Sequence, residues 1–110
     1  MAVNKKLTSL EVLGVAIKSE LEAAELYRKL ANKIKNPTLK EKVQFLMAEE
    51  EKHRRIFEGI FKKSFPEVEL KLPATSQVPN MEKALREDLT VEEIFQIAME
   101  AERISQNFYA

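Results

Sequence analysis

Apolar positions along the chain fall into three long stretches with helical spacing. In the first, Leu13, Ala16, Ile17, Ala23, Ala24, Tyr27, Leu30, Ala31 and Ile34 recur every three or four residues, which predicts a helix over 9–35 with one face turned to a core. Thr8, with Glu11 three residues on, has the form of a capping box at its start. Asn36-Pro37 ends it, because proline pushes the preceding residue out of the helical region. In the second stretch, Leu39, Val43, Leu46, Met47, Phe57, Ile60 and Phe61 predict a helix over 38–63. Its cap is either Asn36, with Pro37 in the first turn, or Thr38 paired with Glu41. The third helix follows Thr90, with Glu93 completing another box, and covers 91–110; a short helix over 81–87, capped by Asn80, precedes it.

The link between the first two helices is so short that they must pack antiparallel. The next segment, 64–89, holds Pro66, Pro73 and Pro79 and cannot be one helix. A helix of ~25 residues is about 38 Å long, and a crossover of ~14 extended residues from Pro66 to Pro79 reaches at most roughly 46 Å. The chain can therefore return along the bundle, so that the third helix runs parallel to the second. The expected fold is all-α, a helical bundle with a long crossover in a single domain over 1–110.

Shifting the sequence by 82 residues aligns Leu7-Thr8 with Leu89-Thr90, Glu11 with Glu93, Ala16 with Ala98, Glu20 with Glu102 and Tyr27 with Tyr109. Between these identities, Val12 meets Ile94, Leu13 meets Phe95 and Val15 meets Ile97. The pattern is that of a duplicated helix, and it gives Glu20 and Glu102 equivalent places.

Composition narrows the chemistry. Lys+Arg and Asp+Glu are 18 each, so net charge offers no case for nucleic acid or an anionic membrane. Cysteine is absent, which excludes disulfides, thiolate metal sites and cysteine nucleophiles. No apolar run approaches the ~20 residues of a membrane span, and the first ten residues do not resemble a signal peptide. A cytoplasmic protein is expected. The run Lys52-His53-Arg54-Arg55 follows Glu49-Glu50-Glu51, and an ion pair between Glu51 and Arg55 makes it a solvated helix face rather than a nucleic-acid patch. Met47, Met81 and Met99 read as core filler.

Each long helix carries an acidic residue on its apolar stripe. Glu20 lies among Leu13, Ile17, Ala24 and Tyr27; Glu50 and His53 lie among Val43, Leu46, Phe57 and Ile60; Glu102 lies among Ile94, Ala98, Ser105 and Tyr109. Buried unpaired carboxylates cost several kcal/mol or neutralise, so three of them on inward faces call for a shared cation. Counted from the turn at Asn36, Glu20, Glu50 and His53 lie about 24, 21 and 26 Å along their helices, at one level of the antiparallel pair. Glu50-x-x-His53 sets a carboxylate and an imidazole one turn apart, a donor set that suits iron or manganese between facing helices.

The stretch Glu20-x-x-Ala23-x-x-Leu26-Tyr27, with Leu46-x-Ala48-Glu49-Glu50-x-x-His53, resembles the first half of a rubrerythrin-related, ferritin-like diiron domain. Ala98-x-x-x-Glu102 through Phe108-Tyr109 resembles the start of its second half. The resemblance implies Glu20 and Glu102 as terminal iron ligands, Glu50 as a bridging ligand and His53 as an imidazole ligand, with Tyr27 and Tyr109 lining the site. On their own, the two tyrosines read equally as packing residues whose hydroxyls find a partner. Two departures stand out. The resemblance implies a ferritin-like four-helix bundle whose fourth helix, with the family's second Glu-x-x-His, does not follow, so that helix is expected from a longer chain or a neighbouring subunit, or only a partial metal site forms. Ser105 stands where rubrerythrins carry a further glutamate, and no cysteines are present to hold a rubredoxin-type iron, so electrons would need a separate donor.

Two functions fit the sequence. One is a dinuclear iron protein, with manganese the alternative metal, acting on dioxygen or peroxide as an oxidoreductase of peroxidase or ferroxidase type. The other is a metal-free helical interaction domain whose open apolar groove takes a partner helix or a second copy. Either reading makes a homo-oligomer, most simply a dimer, the expected assembly. Substrate, electron donor and catalytic residues are not fixed by the sequence.

Overall fold

The computed structural model of the chain describes the backbone of residues 9–109 and the side chains of residues 9–107. The described residues form helices α1 (Ser9–Lys33), α2 (Pro37–Ser64), α3 (Met81–Arg86) and α4 (Val91–Tyr109), and no strands. None of these helices is long and apolar enough to cross a membrane.

Helix ends follow local chemistry. The regular part of α1 stops at Lys33, slightly before the expected end, although the Ile34 N–H still donates to the Leu30 carbonyl at 3.1 Å. Asn36 is the cap of α2: its backbone is extended, and its side chain accepts from the Leu39 N–H at 3.1 Å. Pro37 then fits the first turn, where its missing N–H is no loss. The box at α4 is reciprocal, with the Glu93 N–H donating to Thr90 Oγ1 at 3.2 Å and the Thr90 N–H donating to Glu93 Oε1 at 2.9 Å. Thr8 lies outside the described residues. Asn80 corrects the expectation: it adopts a left-handed conformation (φ 66°) with no side-chain capping bond, so it acts as a turn residue ahead of α3.

Helix α1 is the centre of the bundle. Ile17, Leu26 and Leu30 are fully buried, and the helix is covered by α2, by α4 and by the crossover with α3. Contacts along α1 trace the crossover. The Lys71 carbonyl lies against Gly14, where an added Cβ would come within 3.2 Å of it. Ser76 meets Glu22, with its hydroxyl donating to Oε1 at 2.7 Å. Lys29 Nζ donates to the carbonyls of Ala84 (2.8 Å), Leu85 (2.9 Å) and Glu87 (3.2 Å), and Lys33 pairs with Asp88. The chain thus travels the length of α1, so α4 starts beside the C-terminal end of α1 and runs against it. Helix α4 therefore runs parallel to α2, as the crossover length predicts.

The apolar stripe of α2 is divided in two. Val43, Met47, Glu50, Phe57 and Phe61 face α1, and of these Val43, Glu50 and Phe61 are buried. Leu39, Leu46 and Ile60 are exposed, at 49%, 42% and 44%. They belong to an adjacent row that no described helix covers, because α4 packs on α1 rather than on α2. Helix α4 shows the same division. Ile94 and Ala98 are buried, whereas Phe95 and Met99 are 54% and 59% exposed. Met99 is thus not core filler; Met81, buried to 1%, is. The basic run of α2 keeps its solvated character with a different register. Arg54, not Arg55, pairs with Glu51 (2.8 Å), and it also holds Glu58 at 3.0 Å.

Candidate metal centre

Glu20, Glu50, His53 and Glu102 line one cavity of about 310 Å³, together with Ser19, Phe57, Met81 and Ser105. Each arrives by a separate route. Glu20 sits on the side of α1 that faces α2. Glu50 lies in the inner row of α2, opposite it. His53, three residues on, belongs to the outer row. Glu102 is brought in by α4, one helical stretch beyond the buried Ile94 and Ala98.

The resulting burial is uneven. Glu20 and Glu50 are 6% and 9% exposed, while the His53 side chain is 52% exposed. His53 Nδ1 lies 3.4 Å from Glu20 Oε2 and 3.9 Å from Glu50 Oε2. One donor atom from each of Glu20, Glu50 and His53 falls within 4.8 Å of the other two, a group able to hold a metal ion. Glu102 lies outside this group but lines the same cavity, and its Oε1 accepts a hydrogen bond from the Tyr27 hydroxyl at 2.9 Å.

The electrostatics of this cluster are unfavourable for a cation-free site. Burial, together with the neighbouring Glu20 and Glu102 carboxylates, pushes the Glu50 carboxyl far above the usual carboxylate range. Burial and the Glu102 charge likewise push the Tyr27 hydroxyl upward, so it stays a hydrogen-bond donor at any ordinary pH. Glu20 Oε2 is buried without a hydrogen-bond partner among the described residues. Such an orphaned acceptor costs about 1–3 kcal/mol, and a cation between the carboxylates would remove that cost. The donor set, hard oxygens with one imidazole, fits iron or manganese.

Of the four residues singled out in the sequence, Glu20, Glu50 and His53 come together in one group, while Glu102 lines the same cavity and is touched by Tyr27. The Tyr109 side chain lies outside the described residues. Other parts of the cavity carry no signal in the sequence. Ser19 flanks Glu20 on α1, and Gln77 and Val78 come from the crossover, where no periodicity marks which side chains turn inward. Glu22, buried at 7% and held by Ser76 and Lys18, also escapes a reading based on stripes. It is buried because the crossover covers the flank of α1 that would otherwise face solvent.

The profile of the Rubrerythrin family matches residues 11–110. A hypothetical protein from Pyrococcus furiosus has a similar structure, with a TM-score of 0.78 and 37% identity, covering 96% of this chain and 71% of the other. No functionally curated protein matches the chain.

Proposed function

The chain belongs to the rubrerythrin family, and on that premise we propose that it is a ferritin-like diiron-carboxylate protein in which Glu20, Glu50, His53 and Glu102 hold the metal. The observation that carries this reading is the convergence of Glu20, Glu50 and His53 within 4.8 Å around Glu20 Oε2, a buried carboxylate oxygen without a hydrogen-bond partner among the described residues. Glu50, between Glu20 and Glu102, is the bridging ligand. Glu20 and Glu102 are terminal ligands, and His53 supplies the imidazole.

Bound there, a pair of irons would supply one-electron redox steps toward dioxygen or peroxide; manganese is the alternative metal. The chain's own residues prepare the place. Tyr27 orients Glu102 by its 2.9 Å hydrogen bond. Phe57, Val78, Met81 and Ile104 exclude water from one side. Further ligands would come from a helix seated between the outer row of α2 and the Phe95–Met99 face of α4, provided by additional chain or by a second copy. Electrons would come from a separate donor protein.

The test is anaerobic reconstitution with ferrous iron, followed by elemental analysis of metal per chain. About two irons per chain are expected for a dinuclear centre, with Glu50→Ala and His53→Ala each abolishing stoichiometric binding while the helical circular dichroism signal persists. Iron retention by both variants at the parent level would refute the ligand assignment. A metal-free interaction domain is the second reading, favoured by the exposed row Leu39, Leu46, Ile60, Phe95 and Met99. It predicts concentration-dependent self-association that metal does not alter.

A further inference from the structure

The metal cavity has a neighbour. A second cavity of about 160 Å³ lies between α1 and the crossover, and its walls are Lys18, Ser19, Glu22, Thr75, Ser76 and Gln77, with Val15 and Pro73 as apolar edges. Ser19 and Gln77 line both cavities. The two spaces therefore adjoin at this pair of side chains.

The chemistry of this vestibule differs from that of the metal cavity. Both oxygens of Glu22 are engaged: Oε1 accepts from the Ser76 hydroxyl at 2.7 Å, and Oε2 lies 3.7 Å from Lys18 Nζ. Ser76 Oγ in turn accepts from the Val78 N–H at 3.0 Å, which ties the wall of the vestibule to the wall of the metal cavity. With its carboxylate satisfied and an ammonium beside it, the space has no free acidic oxygen to retain a cation. It offers hydroxyl and amide groups instead. A volume of about 160 Å³ is room for roughly five waters at ~30 Å³ each.

We propose that this vestibule is the entrance by which small uncharged hydrogen-bonding molecules, of the size of water or hydrogen peroxide, reach the metal cavity, with Ser19 and Gln77 forming its threshold. The inference rests on the metal reading above and extends it. It gives the crossover a second role besides connecting helices, because Thr75, Ser76 and Gln77 build one side of the passage. It also leaves an entrance in place if the groove past His53 is filled by another helix.

The experiment uses the full chain loaded with Mn²⁺ as a paramagnetic probe, with bound metal counted first and water-proton relaxation enhancement measured second. Gln77 is exposed, so Gln77→Trp can fill the threshold without disturbing the core. The enhancement is expected to fall at least twofold in Gln77→Trp and to hold or rise in Gln77→Ala. An unchanged enhancement in Gln77→Trp at full metal loading, or an equal fall in Gln77→Ala, would overturn the route while leaving the metal site intact. Failure of the parent chain to bind Mn²⁺ or Fe²⁺ would appear in the metal count and would remove the functional reading itself, and this inference with it.

Discussion

Replacing Glu50 with Gln should reverse the order of stability between metal-free and metal-loaded protein. In the metal-free chain, Glu50 is 9% exposed and stands against two other carboxylates, with its pKa driven strongly upward. Keeping that group protonated, or burying its charge, costs folding free energy. A glutamine of nearly the same shape removes the charge and should stabilise the metal-free protein by about 1–3 kcal/mol. An unfolding entropy of about 2.1 cal/mol/K per residue makes this roughly 4 °C per kcal/mol for a chain of this size, so the expected rise in Tm is about 4–12 °C. Metal reverses the comparison. The parent is expected to gain about 2.7 kcal/mol when free metal is 100 times Kd, whereas the variant, lacking the proposed bridging ligand, gains little. Differential scanning calorimetry on both proteins, with chelator and with Fe²⁺ under anaerobic conditions, reads both halves. A Glu50→Gln protein less stable than the parent in chelator, or equally stabilised by metal, would refute the placement of Glu50 as a strained bridging carboxylate.

The same raised pKa gives metal-free protein a signed pH dependence: below the ordinary carboxylate range Glu50 is protonated in both states, and as pH climbs toward its raised value the folded chain holds a proton that the unfolded chain has released. Stability attributable to Glu50 is therefore greatest in mild acid and falls toward alkaline pH, which urea titrations across that range will register and Glu50→Gln will flatten. Ile17→Ala, at a fully buried position on α1, should cost about 2–5 kcal/mol in urea unfolding. Thr90→Ala removes one half of the reciprocal cap on α4 and should cost about 1 kcal/mol, measurable as a lower denaturation midpoint at unchanged slope. Gly14→Ala should fail to deliver the usual gain of about 1 kcal/mol from helix propensity, because its Cβ meets the Lys71 carbonyl at 3.2 Å beside the stiff Pro73; a full gain would show that the crossover yields freely there.

Local rules read from the sequence account for most of the scaffold. Helix periodicity, the Asn36-Pro37 junction and the Thr90–Glu93 box depend on neighbours within four residues, so each is legible without tertiary information. The length of the crossover, set against the length of a helix, was enough to orient α4. The ligand level was legible too, because an antiparallel pair joined by a short turn fixes heights by counting, and Glu20 and Glu50 indeed face each other. What sequence alone could not decide was which apolar positions are covered. Leu46 and Met99 carry the same hydrophobic signal as Val43 and Ile17, yet only the latter are buried, because burial depends on whether a second helix stands opposite. His53 shares this fate, since it belongs to the outer row of α2 and is half exposed while Glu50, one turn earlier, is not. The burial of Glu22 and Val78 follows from where an aperiodic strap happens to cross α1. Spacing along the chain specifies direction around a helix; the identity of what fills that direction belongs to the tertiary structure.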